Sequence, residues 1–98
     1  MTDEAGAPSV PVRDVPERHR YEAEIGGAVA VLEYRRRPGA IALVHTEVPP
    51  ALQHHGLADK LVRAALDAAR AEGIKVIPIC PFVKQFLERH PEYQSLVL

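Results

Sequence analysis

An amphipathic segment, residues 57–72, limits how this 98-residue chain can fold. Its apolar side chains recur at helical spacing and its charged side chains lie on the opposite side, which predicts an α-helix ending at Gly73. The flanking residues 40–48 and 74–79 are rich in Ile, Leu and Val and have the length of strands. A helix between two strands forms a crossover, so these two strands are predicted to run parallel.

Two more strands are predicted before this crossover. Residues 18–25 alternate between apolar and charged side chains, as in a strand with one solvated face. Gly26 and Gly27 suit a hairpin turn, and residues 28–35 are predicted to form the second strand of that hairpin. After the crossover, Pro81 suits the start of a second helix that runs to about residue 89. The order strand, strand, strand, helix, strand, helix predicts an α/β fold with a mixed, mostly antiparallel sheet and helices packed on it.

One domain is expected, because a chain of this length builds a single, thin core. Residues 17–98 are assigned to it, and the proline-containing residues 1–16 are predicted to be a flexible N-terminal tail without the pattern of a secretory signal. The net charge of −1 argues against nucleic acid as a partner, and no apolar run approaches the length of a membrane span. The lone Cys80 fits a reducing compartment, so we expect a cytoplasmic protein. We expect it to be either a monomer or a weak dimer.

The loop before the long helix is the strongest candidate for a binding site. The start of a helix presents unpaired N–H groups and a partial positive charge, which favour an anion. Gly56 lets a ligand approach the backbone, and Gln53 offers an amide donor. His54 and His55 add positive charge when protonated, so binding of a phosphate group should weaken as the pH rises through the titration range of histidine. The alternative is an ordinary strand-to-helix loop that contains a glycine.

This loop resembles the pyrophosphate-binding signature of the GNAT acetyltransferases, because Gln53, Gly56 and Ala58 have the spacing Gln/Arg-x-x-Gly-x-Gly/Ala. The surrounding strings are similar to a subgroup of small, single-domain members of that family: HTEVP at residues 45–49, ICPFV at 79–83 and RHPEY at 89–93. The similarity covers residues 21–97. It implies a minimal GNAT fold, acetyl-coenzyme A as cosubstrate, and acetyl transfer to the primary amine of a small molecule, peptide or protein.

The same resemblance implies where the cofactor binds. The pantetheine arm would lie between two diverging strands and contact the backbone near Val48. The diphosphate would rest on the loop and on the first helical turn. The implied cofactor-binding residues are Val48, Gln53, His54, His55, Gly56, Leu57 and Ala58.

Two side chains are candidates for catalysis. Cys80 precedes a predicted helix start, where the helix dipole favours a thiolate, and it would act as a nucleophile or in proton transfer. The alternative is a small buried cysteine that only packs. His45 is a candidate general base, although strand alternation places it with Ile41 and Leu43 on the core face, where a structural role is the alternative. Glu47 is a second candidate base.

Three competing interpretations remain open at the level of sequence. His45, His54, His55 and Cys80 are metal-ligand types, but their spacing matches no zinc pattern, and we predict no metal site. A module that binds acetyl-coenzyme A or a partner protein without turnover is the main alternative to an enzyme. A small interaction domain that has lost the ligand is the third. Helical spacing assigns Phe82, Val83, Phe86 and Leu87 to the core, and the alternative is that they border an adenine ring.

Overall fold

The computed structural model describes residues 10–98 and contains five strands and two α-helices in that range. In chain order these elements are β1 (Arg13–Val15), β2 (Arg20–Ile25), β3 (Ala28–Arg37), β4 (Ala40–Glu47), α1 (Leu57–Glu72), β5 (Lys75–Pro78) and α2 (Pro81–Arg89). Short 3-10 helices occupy Pro16–Arg18, Pro50–Leu52 and Pro91–Leu96. Both α-helices have the bounds that the sequence predicts.

The five strands form one sheet in the order β1-β2-β3-β4-β5. All neighbouring pairs are antiparallel except β4 and β5, which are parallel and are connected through α1. This arrangement confirms the predicted α/β class, with a mixed and mostly antiparallel sheet. Both helices contribute buried side chains to the core on the face of the sheet that carries Leu32, Tyr34 and Leu43.

Strand β1 was not predicted and begins inside the segment assigned to the tail. Arg13 pairs with Glu22 and Val15 with Arg20, so the sheet already includes residues before the predicted domain start at residue 17. The hydroxyl of Tyr34 also donates a 2.6 Å hydrogen bond to Asp14, which ties this strand to β3. The predicted tail therefore differs from the structure over residues 13–16, and its residues 1–9 lie outside the described residues.

A β-bulge in β4 reverses the alternation of its side chains. Tyr34 pairs with Leu43 and the preceding Glu33 pairs with His45, so Val44 is an extra residue in β4. An extra residue changes which face the following side chains occupy. The prediction that His45 shares the core face with Leu43 is therefore wrong. His45 lies on the opposite face beside Glu33, and its side chain is 55% exposed.

Glu22, one of the charged residues in the alternating segment 18–25, is covered by three arginine side chains. Its carboxylate lies 2.7 Å from Nε of Arg20, 3.2 Å from Nη1 of Arg18 and 3.3 Å from Nη2 of Arg13, and its side chain is only 4% exposed. The hydrogen bond from Arg20 lowers the pKa of Glu22 below its ordinary value. Burial opposes this effect, and the hydrogen bond from Arg18 adds to it.

The Glu22 cluster predicts how stability depends on acid. Because the pKa of Glu22 is lowered in the folded state, its ionised form stabilises the fold above the ordinary glutamate pKa. This contribution to the free energy of unfolding is lost as the pH falls through the folded-state pKa. Glu22→Gln should therefore lower the free energy of unfolding at pH 7 and flatten its decline in acid, as measured by urea unfolding from pH 7 to pH 3. Glu24→Gln is the control, since Glu24 is half exposed and lies 3.9 Å from Arg13. Equal acid dependence in both variants would contradict the assignment.

Candidate functional site

Strands β4 and β5 part in the middle of β4. Their parallel pairing ends where Leu43 pairs with Pro78. The carbonyl of Leu43 then accepts hydrogen bonds from the N–H groups of both Ile79 (3.1 Å) and Cys80 (2.9 Å). Beyond this point β4 continues along β3 to Glu47, whereas the chain after β5 turns into α2. The divergence leaves a gap between the end of β4 and the start of α2.

A pocket of about 280 Å³ lies where β4 ends and α1 begins. Its lining consists of Val48, Leu52, Gln53, His54, Gly56, Leu57, Ala58, Asp59 and Phe82. Six of the seven residues predicted to bind the cofactor are in this lining, and His55 is not. The structure therefore brings the end of β4, the loop and the start of α1 together around one cavity. Binding of the cofactor by these residues stays a prediction.

The first turn of α1 presents backbone amides that the helix does not use. Gly56 precedes the helix in a left-handed conformation, with φ +70°, and no side chain of residues 10–98 caps this end. The first intrahelical hydrogen bond runs from the N–H of Lys60 to the carbonyl of Gly56, at 3.1 Å. In the described part of the chain, the N–H groups of Leu57, Ala58 and Asp59 are thus left for an external acceptor. Since these residues line the pocket, this end of α1 suits an anion.

Cys80 is buried beside the gap, with its sulfur 3.4 Å from the hydroxyl oxygen of Thr46. Burial raises the pKa of its thiol, but hydrogen bonding from Thr46 and from the N–H groups of Val83 and Phe82 outweighs burial, so the pKa is below its ordinary value. Cys80 forms no conventional side-chain cap on α2, yet these amides at the start of α2 still favour the thiolate. These contacts are those of a thiol that ionises readily, and a catalytic role for Cys80 stays a prediction.

The two predicted catalytic side chains lie on opposite faces of β4. Thr46, which contacts Cys80, pairs with Leu32 and so faces the core, whereas the adjacent His45 faces away from it. Nε2 of His45 lies 3.5 Å from Oε1 of Glu47, and both side chains are exposed. The structure therefore pairs the two candidate bases with each other, and it does not bring either of them to Cys80.

Four residues around this site were not among the site residues predicted from the sequence. Leu52, Asp59 and Phe82 line the pocket, and Thr46 contacts the cysteine. Asp59 also lies 3.5 Å from Arg89 at the end of α2. The position of Asp59 in the first turn of α1 was a usable signal, because that turn was already assigned to the site. Thr46 gave no such signal, since its placement depends on the bulge. The helical spacing of Phe82 favoured the core over a ligand contact, and Phe82 reaches the pocket through the packing of α2.

Neither a cluster of potential metal ligands nor a membrane-spanning helix is present among residues 10–98. In that range no three His, Cys, Asp or Glu side chains come together as a potential metal site. Across the same residues, the helices are too short or too polar to cross a bilayer.

Comparison with known proteins extends over nearly the whole described chain. The sequence profile of the family described as GCN5-related N-acetyl-transferase matches residues 20–96. Protein NATD1 of Mus musculus is 31% identical over 97 residues, with 95% of this chain and 86% of the mouse protein covered. Protein NATD1 of Xenopus tropicalis is 29% identical over 92 residues, covering 90% and 84%.

A solved structure has a similar fold. The NMR solution structure of a GCN5-like protein from Staphylococcus aureus superposes with a TM-score of 0.70 at 27% sequence identity. The superposition covers 90% of this chain and 87% of the bacterial one. Both the sequence match and the structural match are wide enough to include the pocket, the gap and Cys80.

Proposed function

The chain belongs to the GCN5-related N-acetyltransferase family, and on this premise we propose that it binds acetyl-coenzyme A at the start of α1 and transfers the acetyl group to a primary amine. The observation that carries the proposal is the uncapped end of α1, which opens into the pocket beside the gap between β4 and β5. When bound, acetyl-coenzyme A supplies an activated acetyl thioester.

The pocket residues fit such a ligand chemically. The amides of Leu57, Ala58 and Asp59 offer donors to a diphosphate, and Gly56 has no side chain to obstruct its approach. Val48, Leu52 and Phe82 provide apolar walls for the pantetheine arm. Gln53 also lines the pocket, and its amide nitrogen lies 3.5 Å from the carbonyl oxygen of Val48.

We assign chemical roles to the candidate residues by the side of β4 that each one occupies. Cys80 lies on the core side, where its thiol either attacks the acetyl carbon or gives a proton to the departing thiolate. His45, held near Glu47, lies on the opposite face and accepts the proton of an amine that approaches from there. We place the amine on that face because the helices and the pocket occupy the other one.

The separation of His45 from Cys80 also favours a second candidate function. A protein that binds acetyl-coenzyme A without turnover needs the pocket and the amides of α1 but no base near the thiol. Such a module would bind acetyl-coenzyme A in the same pocket but would release no acetylated amine.

Calorimetry and an amine panel test both candidates. We expect titration with acetyl-coenzyme A to show binding, and we expect release of free coenzyme A thiol only when a polyamine or a lysine peptide is added. Binding without amine-dependent thiol release would support the binding module instead. No heat of binding at saturating acetyl-coenzyme A, together with unchanged thermal unfolding, would reject both and leave the interaction domain.

A further inference from the structure

Asp59 brings a negative charge to the pocket in which we propose that phosphate groups bind. It stands in the first turn of α1, and it is part of the pocket lining next to the free amides. A carboxylate near a phosphate is unfavourable unless a cation offsets it. None of the nine lining residues described is a lysine or an arginine, so the lining itself does not supply a permanent cation.

Arg89 is the cation that contacts this carboxylate. It is the last residue of α2, and its Nη2 lies 3.5 Å from Oδ1 of Asp59. The two side chains are 54% and 45% exposed, respectively, and pairs this exposed contribute little to stability. A guanidinium has five N–H donors, so one contact with Asp59 leaves donors available for a second anion.

We propose that Asp59 positions the guanidinium of Arg89 at the pocket, where Arg89 binds a phosphate group of coenzyme A. This inference rests on the proposed function and adds a ligand-binding residue from α2 to a site otherwise built from β4, the loop and α1. Arg89 then supplies the positive side chain that the loop lacks, since the loop offers only His54 and His55. A guanidinium held in place by a carboxylate binds phosphate with less loss of conformational freedom than a mobile one.

The direct test is the affinity of Arg89→Ala and Arg89→Gln for coenzyme A, measured by calorimetry. We expect the Kd to rise about fivefold in both variants, because a charge-assisted hydrogen bond is lost and the charge of Asp59 is no longer offset. The Kd for pantetheine, which has no phosphate, should not change. A comparison with 3′-dephospho-coenzyme A shows which phosphate is bound: if it is the diphosphate, the fivefold effect persists, and if it is the 3′-phosphate, the effect disappears.

Two further substitutions test whether Arg89 binds the ligand or only stabilises the fold. In the Arg89→Ala background, Asp59→Asn should recover part of the lost affinity, because it removes the carboxylate left without its partner. Arg36→Ala is the matched control. Arg36 pairs with Glu72 at the other end of α1, at 3.0 Å and with both side chains 44% exposed, so its loss should leave the Kd for coenzyme A unchanged.

The possible results decide between the two proposals. Failure of the unaltered chain to bind coenzyme A would overturn the proposed function and this inference together. Binding by the unaltered chain with an unchanged Kd in both Arg89 variants would overturn this inference alone. An equal loss of affinity for pantetheine and coenzyme A would also overturn it, since that result indicates a structural role for Arg89.

Discussion

Replacing Cys80 with alanine should lower the kcat of acetyl transfer about a hundredfold, while the Kd for acetyl-coenzyme A stays within about a factor of two. The reason is that Cys80 lies beside the gap but is not part of the pocket lining. Its thiol also has a lowered pKa, which suits either nucleophilic attack or proton transfer near neutral pH. Steady-state release of coenzyme A thiol at saturating cosubstrate measures kcat, and calorimetry measures the Kd.

Thr46 provides a graded control for this prediction. Thr46→Val removes the hydroxyl that contacts the sulfur, so the pKa of Cys80 should rise, whereas Thr46→Ser keeps the hydroxyl. If the thiolate is the nucleophile, the rising limb of the kcat–pH profile moves to higher pH. If the thiol donates a proton, the falling limb moves to higher pH instead. An unchanged kcat in Cys80→Ala would make Cys80 a packing residue. An unchanged profile in Thr46→Val would mean that the Thr46 hydroxyl does not set the pKa of the thiol.

An acid quench during turnover separates the two roles of Cys80 further. Attack by the thiolate on the acetyl carbon forms a thioester at Cys80 and expels the thiolate of coenzyme A, which takes up a proton. Mass spectrometry would then detect an acetyl group on the peptide that contains Cys80. Proton donation leaves that peptide unmodified at every time point.

The helices were predictable because their signals are local. In α1 the apolar spacing marks the buried face, and Gly73 at φ +74° ends the helix. In α2 the proline at the first position marks the start. Neither signal needs information about the rest of the chain, so the bounds of both helices agree with the structure.

The sheet was less predictable because two of its features depend on tertiary contacts. Strand β1 has only three residues, without alternation, and it forms because β2 offers a partner and Asp14 accepts a hydrogen bond from Tyr34. The bulge at Val44 has no glycine or proline to mark it, and alternation therefore placed His45 on the wrong face. The burial of Glu22 likewise needs Arg13 from the unpredicted strand.

The candidate site was predictable where it is continuous in sequence. Residues in the loop and in the first turn of α1 meet at one pocket because they are neighbours in the chain. Phe82 and Arg89 reach the site only through the packing of α2, and Thr46 reaches Cys80 only through the bulge. These three contacts link distant segments, which no short motif encodes.

Gly56→Ala should raise the Kd for acetyl-coenzyme A at least about tenfold, the equivalent of roughly 1.4 kcal/mol of binding free energy. Gly56 has φ +70°, and an added Cβ there would meet no atom of residues 10–98 within 4 Å, so the methyl group enters open space beside the pocket. A left-handed conformation costs alanine about 1–2 kcal/mol. Rotation of the backbone to relieve this strain would turn the free amides of α1 away from the ligand. Calorimetry measures the binding, and thermal unfolding measures the cost to stability.

Gly39→Ala is the matched control for this substitution. Gly39, in the turn between β3 and β4, has φ +72° and equally open space around its Cβ position, so both variants should lose a similar amount of stability. Only Gly56→Ala should also lose affinity for acetyl-coenzyme A, because only Gly56 lines the pocket. If the two variants bind the ligand equally well, the amides at the start of α1 do not hold its phosphates. If both variants lose affinity in proportion to their loss of stability, the loss of affinity reflects impaired folding. That result would not support binding of the diphosphate at this pocket.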